Sequence, residues 1–159
     1  MKERIEITSV HMDYEAFNQA YEHAKNNVPY EIGGFVMGYV GRWKNEYYLR
    51  IKKVIPVKSK STYVTVEFLS SDVGQTVSEI NKIKTKYGYY ILGWYHSHPG
   101  YTCKPSRLDL RSHITYFREP YQVGLIIDPL NDDHCIFRAD SIFSYKLIPF
   151  YVWRRISDG

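Results

Sequence analysis

The segment His96-Ser97-His98-Pro99, followed by Ser106 and Asp109, constrains this chain more than any other part of it. Two imidazoles two residues apart leave the same face of an extended strand. Asp109 comes after a loop, Gly100 to Pro105, long enough to fold back over that face. Two nitrogen donors and one oxygen donor leave one tetrahedral position open, the arrangement of a hydrolytic zinc site rather than a structural one. Such ligands must be held still, so the strand that ends at His96 has to be rigid and buried. These residues read as a zinc hydrolase.

The rest of the chain supplies that frame. Tyr89 to Tyr95 is a nearly continuous apolar run, which predicts a central strand covered on both faces. Pro105-Ser106-Arg107-Leu108-Asp109 predicts a helix start, with Ser106 as cap and Asp109 in the first turn, running to about Arg118. Upstream, Arg4 to Met12 alternates as a strand, and Asp13 offers an N-cap to a helix that stops at Asn26-Asn27 and Pro29. Ile32 to Val40 and Tyr47 to Val57 read as strands joined by a polar turn, and Tyr63 to Phe68 as a further extended piece. Ser70-Ser71-Asp72 opens a second long helix with Val73, Val77, Ile80 and Ile83 as its apolar stripe and Gly88 as its stop. Gln122 to Ile127, Cys135 to Ala139 and Phe143 to Val152 complete the strands. The order predicts an α+β fold: a curved mixed sheet with helices around it.

Composition narrows the class. At 159 residues without repeat, linker or low-complexity tract, residues 1–159 read as a single domain able to hold its own core. The net charge of +4 is dispersed over Lys52-Lys53, Lys58, Lys60, Lys82, Lys84, Lys86 and Arg154-Arg155. Nucleic acid is therefore not expected, since it calls for a clustered basic stripe. No apolar segment reaches membrane-spanning length, and Met1-Lys2-Glu3-Arg4 does not start a secretory signal, so a cytoplasmic protein is expected. Cys103 and Cys135 are too few for a disulfide framework and read as reduced thiols.

Glu31, His96-Ser97-His98-Pro99, Ser106 and Asp109 together resemble the signature of the JAMM (MPN+) family of zinc-dependent isopeptidases, with every spacing in place. Gly93 to Tyr101 is similar to the branch that includes the proteasome-lid deubiquitinase, whereas Cys103-Lys104-Pro105-Ser106 looks more like archaeal and bacterial members. Pro29 to Gly38 resembles the family's Glu-bearing strand, and Ile127-Asp128-Pro129 the strand after the metal helix. The likeness implies an MPN (cytidine-deaminase-like) domain and one catalytic Zn2+ on His96, His98 and Asp109. It also implies Glu31 as general base and Ser106 as oxyanion donor. Arg111 stands where the endosome-associated branch has the first ligand of a second, structural zinc, so His113 has no such partner and one ion is expected.

The implied reaction cleaves after the carboxyl-terminal glycines of a ubiquitin-like protein, by zinc-activated water with Glu31 taking its proton. The same site would serve a sulfur-carrier protein with a Gly-terminated tail. A third reading is a non-catalytic MPN scaffold within a dimer or larger complex, gated or held inactive by Val57 to Phe68 or by Gly100 to Pro105. Cys103 as a nucleophile loses on economy, because both histidines and Asp109 already share a metal role. His11, His23, His113 and His134 read as surface or structural residues, and Trp94 and Tyr95 as core.

Overall fold

The computed structural model describes residues 5–57 and 73–156. The extended piece expected at 63–68 and the helix opening expected at 70–72 lie outside the described residues. The elements run β1 (Ile7–Asp13), α1 (Tyr14–Lys25), β2 (Gly33–Trp43), β3 (Glu46–Val57), α2 (Val73–Tyr87), β4 (Tyr90–Ser97), α3 (Arg107–Tyr116), β5 (Val123–Asp128), β6 (Asp133–Ser141), β7 (Ser144–Ile148) and β8 (Phe150–Trp153). The strands form one mixed sheet in the order β7-β6-β5-β4-β2-β3-β1-β8. β4 lies inside it, antiparallel to β2 and parallel to β5, which is why its apolar run is continuous.

The sequence reads Phe143 to Val152 as one strand; the structure breaks it at Pro149, which has no N–H to continue a ladder. β7 and β8 flank that single residue yet lie at opposite edges of the sheet. One residue spans only about 7 Å between its neighbours. The sheet therefore curls until its two edges meet, and the Pro149 carbonyl accepts a hydrogen bond from the Val10 N–H of β1 at 2.9 Å.

Helix α1 lies against the face enclosed by this curl. Its buried residues are Ala16, Ala20 and Ala24, small side chains that let the helix approach the strands closely. Val10 and Met12 of β1, Leu49 and Ile51 of β3, Tyr95 of β4, Leu125 and Ile127 of β5 and Ile148 of β7 share that core. On the other face, Leu110 and Phe117 pack with Trp94, Ile126 and Phe137, while Ile80 of α2 packs with Met37 and Ile55. α3 ends at Tyr116, two residues before the expected Arg118, and α2 stops at Gly88 (φ 71°) as read from the sequence.

One local feature aims the whole site. Leu92 packs on the α1 face, yet Trp94, two residues on, packs on the α3 face. Strict alternation would have put both on one side. The register between β2 and β4 slips between Val36 and Met37, opposite Gly93, whose φ is 146°. This bulge inserts one residue into β4 and turns Trp94 and His96 toward α3. Only glycine fits here, because a Cβ would collide with the Val123 carbonyl.

Candidate metal centre

His96 and Ser97 close β4, and His98 follows directly. His98 is tied to β5 by its N–H, which donates to the Ile127 carbonyl at 2.8 Å. Asp109 arrives from α3, where it forms a reciprocal cap with Ser106. The Ser106 Oγ accepts from the Asp109 N–H at 3.1 Å, and Asp109 Oδ2 accepts from the Ser106 N–H at 2.7 Å. The cap that starts the helix thus also orients the carboxylate. His96, His98 and Asp109 are all buried.

The three side chains meet as the spacing predicted. His96 Nε2 and His98 Nε2 are 2.9 Å apart, and lie 3.0 Å from Asp109 Oδ1 and Oδ2 respectively. Ligand atoms at about 2.0–2.1 Å from a tetrahedral zinc sit about 3.3 Å apart. The observed triangle is a few tenths of an ångström tighter, so a small outward adjustment admits an ion. Among the described residues these donor atoms form a group able to hold a metal, and their chemistry suits zinc. The electrostatics agree. Burial alone would raise the Asp109 carboxyl pKa, but the charge of His96 and hydrogen bonds from His96, His98 and the Ser106 backbone hold it far below the usual carboxylate range. Burial disfavours charge on His98, yet its hydrogen bond to Asp109 and the charges of Asp109 and Glu31 raise its pKa overall.

The surrounding groups fix this arrangement unequally. The Thr102 backbone also lies beside the His98 ring and favours its protonated form. Thr102 (φ 63°) belongs to a loop pinned by Asp128, whose carboxylate accepts from the N–H groups of Gly100, Thr102, Leu130 and Asn131 and from Asn131 Nδ2, at 2.7 to 3.2 Å. Those bonds outweigh its burial and hold the Asp128 pKa down to about 2. His96 Nδ1, by contrast, is buried and has no hydrogen-bond partner among the described residues.

Glu31 stands half-buried just before β2, within electrostatic reach of His98. Its neighbour Ile32 is joined to Ser97 by two hydrogen bonds, so the backbone that carries Glu31 is fastened to the backbone that carries His96 and His98. Ser106 is exposed at the N-terminus of α3, beside Asp109. The structure thus gathers His96, His98, Asp109, Glu31 and Ser106 at one end of β4.

Other sequence readings resolve as follows. Cys103 and Cys135 are free thiols; the Cys135 S–H donates to the Cys103 carbonyl at 2.7 Å, and burial raises both pKa values, so neither is a ready thiolate. His23 meets the Tyr95 hydroxyl at 2.9 Å, and His11 accepts from the Trp153 indole at 2.8 Å. Asp13 occupies the N-cap of α1 but makes no capping bond; its carboxylate pairs with Arg50 and Lys52 instead, each at 2.6 Å. Asp128 was not read from the sequence as a loop anchor, although Asp128-Pro129 before Leu130-Asn131 is a turn signal. No described helix is long and apolar enough to cross a membrane.

The sequence matches the family described as JAB1/Mov34/MPN/PAD-1 ubiquitin protease over residues 6–120. It is 28% identical over 152 residues to the 26S proteasome non-ATPase regulatory subunit 14 of Dictyostelium discoideum, covering 95% of this chain and 48% of that protein. It is 25% identical over 130 residues to the ubiquitin carboxyl-terminal hydrolase RPN11 of Saccharomyces cerevisiae, covering 81% and 40%. It is 31% identical over 110 residues to COP9 signalosome complex subunit 5 of Caenorhabditis elegans, covering 68% and 29%. The chain spans less than half the length of these relatives. Its fold is similar to the solution structure of a protein from Desulfitobacterium hafniense, with a TM-score of 0.68 at 18% identity over 92% of this chain and 94% of that one. With the match reaching from β1 through α3 and both motif-bearing strands inside it, the chain belongs to the JAB1/Mov34/MPN/PAD-1 ubiquitin protease family.

Proposed function

We propose that this chain is a zinc-dependent isopeptidase that cleaves after the carboxyl-terminal glycines of a ubiquitin-like protein, acting as one domain over residues 1–159. The observation that carries the reading is the meeting of His96 Nε2, His98 Nε2 and the Asp109 carboxylate within about 3 Å, beside a Glu31 fastened to the same strand. Zinc held by these three residues would supply an acidified water and polarise the scissile carbonyl. The Glu31 carboxylate takes the proton from the attacking water and hands it to the leaving lysine amine. Ser106 Oγ already accepts from the Asp109 N–H, which leaves its own proton to donate to the developing oxyanion. Asp128 holds the loop at Thr102, which lies beside His98, in place during turnover.

The substrate in this reading is a protein with an extended Gly-terminated tail, because glycines carry no side chain to obstruct approach of the scissile bond to a buried centre. Nucleic acid and membrane surfaces are not part of this reading. The free thiols support a cytoplasmic setting, and the 26S proteasome and COP9 signalosome relatives support assembly with a partner subunit or a second copy.

The test is a cleavage assay on ubiquitin, prokaryotic ubiquitin-like modifiers and sulfur carriers, each carrying a carboxyl-terminal extension. Cleavage after the terminal glycines, abolished by a chelator and by Glu31→Gln, is the expected result, and the arm that is cut identifies the substrate class. Absence of cleavage by folded, zinc-loaded protein in every arm would count against catalysis and favour a scaffold.

A further inference from the structure

His96 and His98 are held by different means. His98 is anchored by its own backbone N–H on β5 and has the Thr102 backbone beside its ring, whereas a ligating imidazole is usually oriented by a hydrogen bond from its second nitrogen. The remaining nitrogen of His96, Nδ1, has no such partner among the described residues, although the residue is 1% exposed. Something else must fix the plane of its ring.

Trp94 does so by contact. Its indole stacks on the His96 ring with centroids 4.5 Å apart and planes 10° from parallel. The indole also stacks on Phe117, at 5.7 Å and 5°. Stacking alone leaves a ring free to slide in its own plane. The indole N–H removes that freedom by donating to His113 Nδ1 at 3.0 Å. His113 is 3% exposed and packs between Phe117 and Phe137. Burial lowers its pKa to about 4, so it stays neutral and Nδ1 stays an acceptor at physiological pH. It lies one helical turn beyond Asp109 on α3. One helix therefore carries Asp109 to the centre and, a turn later, the acceptor that locks the support of His96.

We propose that Trp94 and His113 are positioning residues for the candidate metal centre: the indole, locked by His113, sets the His96 ring plane in place of the hydrogen bond that Nδ1 lacks among the described residues. The inference rests on the zinc reading of His96, His98 and Asp109. Partners that orient a ligand in this way typically change metal affinity ten- to hundredfold when removed.

The experiment measures zinc affinity by competition with a chromophoric chelator, and the visible spectrum of the cobalt(II)-loaded protein. It compares the wild type with His113→Leu, His113→Gln and Trp94→Phe, with melting temperatures recorded alongside. Leucine removes the acceptor, glutamine restores one, and phenylalanine keeps a ring but loses the N–H. His113→Leu and Trp94→Phe are expected to bind zinc about ten- to hundredfold more weakly, with altered cobalt bands, while His113→Gln stays within about threefold of wild type on the same scale. Should His113→Leu not fold, Trp94→Phe decides. Wild-type affinity and cobalt spectrum in folded Trp94→Phe overturn the inference while leaving the metal reading standing. A wild type that binds neither ion overturns the metal reading and this inference with it.

Discussion

Ser97 and Ile32 exchange two hydrogen bonds: the Ile32 N–H donates to Ser97 Oγ and the Ser97 N–H donates to the Ile32 carbonyl, both at 2.9 Å. The link joins the residue after Glu31 to the residue between His96 and His98. Ser97 is fully buried, so its hydroxyl serves the backbone. Ser97→Ala should leave the Ile32 N–H buried without an acceptor, at a cost of about 1–3 kcal/mol. The greater effect falls on Glu31, whose displacement by about 1 Å costs on the order of 10²-fold in turnover. Ser97→Thr keeps the hydroxyl and should restore both. Urea unfolding beside tail cleavage measures the two effects, and an alanine variant with wild-type turnover would show that Glu31 is held by other means.

Ser106 has two roles that substitution separates. As the cap of α3 it contributes about 0.5–2 kcal/mol, and as an oxyanion donor about 10²–10³ in rate. Ser106→Asp retains a capping acceptor but has no proton to donate at neutral pH. Stability should therefore survive in Ser106→Asp and fall in Ser106→Ala, while cleavage collapses in both. If Ser106→Asp cleaves at the wild-type rate, Ser106 is a cap alone.

Asp128 makes the loop beside His98 sensitive to acid. Its folded-state pKa, near 2, lies below the ordinary carboxylate value because five donors stabilise the charged form. Its stabilisation is thus fully present above about pH 4 and is lost as pH falls toward 2, a contribution on the order of 2 kcal/mol. Asp128→Asn should be less stable than wild type at pH 7, and the gap should narrow toward pH 2.5. Denaturant titrations at the two pH values check this; a gap that does not change with pH would remove the carboxylate's charge from the account.

Metal affinity should rise with pH. In the metal-free protein Asp109 and Glu31 favour a proton on His98, and zinc must displace that proton. Zinc should therefore bind more weakly at pH 5.5 than at pH 7.5, with proton release on binding. Zinc should also raise the melting temperature, since ligand at a hundred times its Kd adds about 2.7 kcal/mol. A chelator or His96→Ala should abolish that rise. Calorimetric titration in buffers of different ionisation enthalpy reads the proton count directly.

Much of this site was legible in the chain because its parts are local. The His-x-His at the end of β4, with His98 just past the strand, and the Ser106-to-Asp109 cap need only neighbours in sequence, and the structure brings both together as the spacing suggests. What escaped depends on partners far along the chain. Asp13 has the sequence position of a cap, but Arg50 and Lys52, on a strand paired in parallel with its own, take its carboxylate. Pro149 looks like a strand residue until the closing of the sheet requires β8 to join β1. Asp128 reads as the end of a strand, and only the returning loop at Gly100 to Thr102 supplies two of its five donors.

Gly93 is the position where such long-range geometry can be tested most sharply. Within an ordinary apolar strand a glycine-to-alanine substitution is mild. Here φ is 146°, a conformation that L residues rarely adopt, and the added methyl meets the Val123 backbone, which β5 cannot withdraw. Backbone strain of this kind costs about 1–3 kcal/mol before the collision is counted. Gly93→Ala should therefore lose about 3 kcal/mol or more. If the chain relieves the strain by removing the bulge, the alternation of β4 resets and His96 turns toward α1, away from Asp109. The variant should then fold yet bind no zinc. Stability within about 1 kcal/mol of wild type together with wild-type zinc affinity would mean that the bulge does not aim the site.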